Sequence, residues 1–210
     1  TGSTLVIDVT ASRRRTDANV AFTWFGRFGM ALGLALGVYI YPYWSFTCVV
    51  YVCAAFGIGA LLLIPLLHIP FRAPLCPPLF SLDRFLLPRT LLPGINMLLV
   101  SFIFGVIIAH IYNEIFYICI LIGFAVSLLI SKYALSHTSC RAEMEFGQAA
   151  LVAGILLMAF SNSLMSSYIA ALLLGIGIGI TASRFFVIMI SLPLHCERGT
   201  GNNTYQLLWE

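Results

Sequence analysis

RRRTDANVAFTWFGRFGMALGLALG, residues Arg13 to Gly37, decides how the rest of the chain reads. Three consecutive arginines give way abruptly to an apolar stretch that holds a single arginine, Arg27, and four glycines. Charge that stops where a long apolar run begins is the pattern of a loop entering a membrane. Composition extends the reading outward. Of the 210 residues, 60% are hydrophobic and 9% charged, with a mean hydropathy of +1.00. A soluble domain carries about a quarter charged residues, so most of this chain is expected to lie in lipid. The net charge of +3 is too small to point to nucleic acid.

The apolar run from Val20 to Leu67 is 48 residues long. As one straight helix it would measure about 72 Å, more than twice the hydrocarbon thickness. Pro42, flanked by tyrosines and followed by Trp44, supplies the break. Crossings are therefore expected at Val20–Tyr41 and Trp44–Leu67. The segment from His68 to Arg89 holds five prolines and reads as a linker. Within it, Ser81–Leu87 could lie as a short helix at the membrane surface. A third crossing is expected at Leu91–Tyr112 and a fourth at Ile115–Ile130, with Ser131–Glu145 as a polar loop. Phe146–Leu194, broken near Ser161–Ser163, supplies the fifth and sixth, and Thr204 onward opens a seventh. Positive charge supports the count. All Lys and Arg except Arg27 and Arg184 fall in alternate loops, nine of the eleven, which places those loops on the cytoplasmic side of an inner or plasma membrane.

A repeat links the two ends. Arg14, Thr16 and Asn19 recur as Arg198, Thr200 and Asn203, the spacing R-x-T-x-x-N, each copy in a loop ahead of an apolar segment and each followed by a tryptophan, Trp24 or Trp209. Six crossings between two parallel copies is the layout of a transporter built from two halves. On these features the chain resembles the major facilitator superfamily, from the end of transmembrane helix 4 to the start of helix 11. IDVTASRRRTDAN is similar to that family's helix 4–5 loop, and GMALGLALG to its glycine-rich helix 5 motif, with Leu34 where the family has proline. FRAPLCPPLFSLDRFLLP resembles the family's central loop, whereas SKYALSHTSCRAEM lacks the G-x-x-x-D-R-x-G-R signature. The resemblance implies an all-α polytopic bundle with six complete crossings and partial helices at both ends. It divides the chain into the latter part of a first bundle (1–67), a central linker (68–90) and an incomplete second bundle (91–210). The chain is accordingly expected to be an internal piece of a longer protein.

Candidate residues follow from position. Gly26, Gly29, Gly33 and Gly37 fall within about 80° on a helical wheel, and Ala171, Gly175, Gly179 and Ser183 make a second small-residue stripe. Ser101, Gly105 and Ala109 make a third. Close backbone approach is what holds helices together in lipid, so these glycines are expected to pack helices or to slide. Arg27 and Arg184 are the cations inside spans, where charge is expensive. They either snorkel or pair structurally, or they bind an anionic substrate or gate. His110, Asn113 and Glu114 cluster at the opposite end. His110 and Glu114 stand at i, i+4 and can pair, and exchange a proton, if the helix continues between them. The resemblance adds a conformational charge network of Asp8, Arg13, Arg14, Arg15 and Arg198, although the arginines could equally serve only to set topology.

No G-x-S-x-G, Walker loop or HExxH occurs, and the six cysteines and four histidines show no ligand spacing. Most of the cysteines read as small apolar packing residues. The expectation is thus a secondary transporter rather than an enzyme, moving a small solute by alternating access with protons as a candidate coupling ion, and needing no cofactor or metal. A polytopic acyl- or glycosyltransferase and a non-transporting scaffold or channel subunit are the competing classes.

Overall fold

The computed structural model describes residues 15–66, 87–111, 113–135, 137–160, 163–193 and 198–209. These residues form an all-α bundle with no strand among them. Six of its helices are long and apolar enough to cross a membrane. The first, α1 (Arg15–Tyr43), carries Pro42 in its last turn. Proline offers no N–H and its ring blocks the preceding turn, so the helix ends one residue later. Ser45 then adopts an extended conformation and α2 (Phe46–Leu63) begins, continued by a 3-10 turn at Ile64–Leu66.

A 3-10 turn at Pro88–Thr90 leads into α3 (Leu91–His110). Helix α4 (Glu114–Leu129) is capped by Asn113, whose Oδ1 accepts from the amides of Ile115 (3.0 Å) and Phe116 (3.4 Å), satisfying donors that a helix start leaves free. It ends in a π turn at Ile130–Ala134. Helix α5 (Cys140–Phe160) follows. Then comes α6 (Leu164–Ser191), capped by Ser163 through the Ser166 amide at 3.1 Å. The last helix is α7 (Arg198–Trp209).

Helix α6 is the axis of the bundle. The window that defines its span is 72% buried, whereas that of α2 is 0% buried. The closeness comes from missing side chains. A Cβ on Gly123 of α4 would strike the backbone of Leu172 and Gly175, and one on Gly175 would strike the backbone of Ile120 and Gly123. Between α5 and α6 a Cβ on Gly177 would strike the backbone of Gly147 and Leu151, one on Gly147 would strike the Thr181 hydroxyl, and Gly154 rests against Ala170 and Leu174. Backbones in direct contact replace the hydrophobic force that lipid cannot supply. Phe116, Tyr117, Ile120 and Phe124 fill the remaining space with Leu174 and Ile178. Helix α1 lies against α4 and α6 through Trp24 and Ala31, α2 hangs from α1, and α7 rests on α6 and α3.

Three expectations are corrected. The loop expected at Ser131–Glu145 is much shorter, because α4 continues through a π turn to Ala134 and α5 starts at Cys140 rather than Phe146. The charges in that segment do not end the helices, because the acid that matters there is neutralised, as described below. The second R-x-T-x-x-N copy is not a loop, since Arg198–Asn203 forms the first turns of α7; the described part of the first copy, from Arg15, likewise opens α1. Third, Gly26, Gly29, Gly33 and Gly37 pack against nothing described: a Cβ on any of them would meet no atom within 4 Å. Gly105 is equally open. Their side of α1 faces away from the bundle because Trp24, Arg27 and Ala31, roughly opposite on the wheel, are the residues that dock.

Candidate functional site

Arg27 is 4% exposed. A guanidinium keeps its charge at any ordinary pH, so burying it requires partners. Here they are neutral. Nη1 donates to the carbonyl oxygen of Gly179 at 3.3 Å and Nη2 to the Tyr205 hydroxyl at 2.8 Å. The Tyr205 hydroxyl in turn donates to the carbonyl oxygen of Ala182 at 3.1 Å. The rings of Trp24 and Trp209 lie with their centroids 5.8 and 5.7 Å from the guanidinium carbon, within cation–π range. Neither described ion pair involves Arg27.

The elements explain the convergence. Trp24 and Arg27 come from one turn of α1, Gly179 and Ala182 from one turn of α6, and Tyr205 and Trp209 from one turn of α7. Gly179 brings α6 close: a Cβ there would strike Ser127 and lie 3.2 Å from the Trp24 ring. The carbonyl of Gly179 also accepts from the Ser183 hydroxyl at 2.8 Å. The helices that begin with the two R-x-T-x-x-N copies therefore meet on one arginine, and each contributes its tryptophan.

Arg184 has a different partner. Its Nη2 pairs with Oε2 of Glu143, in the first turn of α5. Glu143 is 3% exposed, while the Arg184 side chain keeps 27% of its surface. The Nε of Arg184 is buried without a hydrogen bond among the described residues. The pair fastens α5 to α6. Glu143 falls inside the segment 131–145 that reads in sequence as a polar loop. The available signal was physical: an arginine inside a span asks for an acid at its own depth, and the first two turns of α5 carry two. The other, Glu145, pairs with Arg141 on the surface at 2.8 Å.

The remaining candidates are dispersed. Helix α3 ends at His110 and the chain is extended at Ile111 and Asn113, so no helical i, i+4 relation joins His110 to Glu114. His110 instead sets Nδ1 2.9 Å from the carbonyl of Val106. Asn113 acts as the cap of α4, and Glu114 occupies its first turn, where a negative charge complements the helix dipole. Asp8, Arg13 and Arg14 lie outside the described residues, as do the side chains of Arg15 and Arg198, so the charge network has no structural description. Cys48, Cys53, Cys119 and Cys140 carry free thiols.

Chemically, the two arginines divide the labour. The Glu143–Arg184 pair is a charged bond within one body. The Arg27 clamp joins α1 to that body through dipoles and ring faces, interactions that water or an anion can replace without stranding a carboxylate. No family model matches the chain, and neither a curated protein nor a solved structure does.

Proposed function

We propose that this chain belongs to a secondary transporter of major facilitator type, which moves a small solute by alternating access of two helix bundles. Helices α1 and α2 form the end of the first bundle and α3 to α7 the second, with the arginine-rich end on the cytoplasmic side. The observation that carries the reading is the contrast between two seams. Helices α4, α5 and α6 are welded by glycines on backbone atoms and by a buried ion pair. Helix α1 packs on them through apolar side chains such as Trp24 and Ala31, and no glycine-on-backbone contact or ion pair among the described residues joins it there; its polar ties run from a single cation to neutral partners. A tight body and a detachable one, joined by a reversible clamp, are what rocking requires. In this account Arg27 is the gate that closes the arginine-rich end.

Labelling tests it. Ser183, beside the clamp and 5% exposed, is replaced by the sole cysteine of the reconstituted protein, and an impermeant maleimide is applied from each side of the membrane. Labelling should be slow and confined to one side at a time, and Arg27→Gln should accelerate it about tenfold from the arginine-rich side. Equal slow labelling with and without Arg27 would count against a gate.

A further inference from the structure

A cavity of about 560 Å³ opens between α1, α4 and α6, beside the clamp. Its size lies within the roughly 300–1,000 Å³ of small-molecule sites. Its lining is graded. At the end of the spans stand Lys132 and Ser131, from the π turn that follows α4, together with Arg184 of α6. Deeper lie Leu128, about one turn back along α4, and the wall made by Trp24 and Phe28 of α1. Among the described residues, no carboxylate lines the cavity.

Both cations have capacity to spare. Lys132 makes no ion pair among the described residues and rests 5.3 Å from the Tyr133 ring. Arg184 meets Glu143 through Nη2, yet its side chain keeps 27% of its surface exposed and lines the cavity. Two positive groups at the membrane end of an apolar slot recognise a ligand that is anionic at one end and hydrocarbon at the other. We infer that the cavity binds an anionic phospholipid, its phosphate between Lys132 and Arg184 and an acyl chain along Trp24, Phe28 and Leu128. A free phosphate would gain the two cations but nothing from the wall, so the apolar lining favours the lipid. The inference does not rest on transport. A lipid bound here touches α1, α4 and α6 at once, and so bears on the seam that Arg27 closes.

The test uses the full chain in bilayers of equal phosphatidylglycerol and phosphatidylcholine, with lipids retained after extraction counted by mass spectrometry. Phosphatidylglycerol should be retained about fivefold over phosphatidylcholine. Lys132→Gln, an exposed substitution that leaves the Glu143–Arg184 pair intact, should abolish most of that preference, as expected for one cation near a lipid phosphate. Arg141→Gln, at a cation outside the cavity, should leave it unchanged. Equal retention of the two lipids, or a preference indifferent to Lys132, would overturn the assignment. Displacement of phosphatidylglycerol by millimolar inorganic phosphate would instead identify a free-anion site and overturn the lipid assignment.

Discussion

Two arginines in spans take opposite solutions to the same problem, and substitutions should separate them. Glu143→Gln leaves the Arg184 charge half-buried and unpaired, which is expected to destabilise the bundle by about 3–5 kcal/mol. The double change Glu143→Gln/Arg184→Gln should recover most of that loss, because both charges then vanish together. Thermal unfolding in mild detergent checks both. At the clamp, Tyr205→Phe removes one acceptor from a charged donor and should cost about 1.5–3 kcal/mol. In a double-mutant cycle with Arg27→Met the two changes should couple by at least about 1 kcal/mol. A coupling near zero would mean that the 2.8 Å contact between Arg27 and Tyr205 holds nothing in place.

At the scale of elements, glycines that look alike in sequence do different work. Gly123 and Gly175 face each other across the α4–α6 crossing with no room for a Cβ, and Gly123→Leu should part the helices and lower stability by more than about 3 kcal/mol. Gly29→Ala and Gly33→Ala meet open space and should cost no stability, with a gain of up to about 1 kcal/mol from helix propensity. A loss at Gly33 comparable to that at Gly123 would show that the open stripe has a partner outside the described residues. Much of this level was readable beforehand. The number of spans, the break at Pro42, the turn at Asn113 and the start of α6 at Ser163 follow from apolar length, proline geometry and capping chemistry, which act locally. The start of α5 at Cys140, the role of Glu143 and the orientation of the Gly26–Gly37 face were not readable. Each depends on which helix stands opposite, and that is set by packing between residues distant in sequence.

For the whole molecule, the repeat carries the most information. Six helices separate the start of α1 from the start of α7, an even number, and the first turns of α1 meet the last turns of α7: Trp24 and Trp209 flank the same guanidinium. Sequence supplied the spacing of the two copies and the tryptophans beyond them. It did not supply the convergence on Arg27, because nothing in either copy names a residue in the other. If the clamp is a gate, the first turns of α1 and the end of α7 must part and rejoin as the bodies rock.

Spin labels at Phe22 of α1 and Leu207 of α7, both exposed, read that separation directly in the reconstituted protein. Two distance populations are predicted, with Arg27→Gln moving the balance toward the longer one. A single narrow distance, the same with and without Arg27, would contradict the clamp and the alternating cycle built on it.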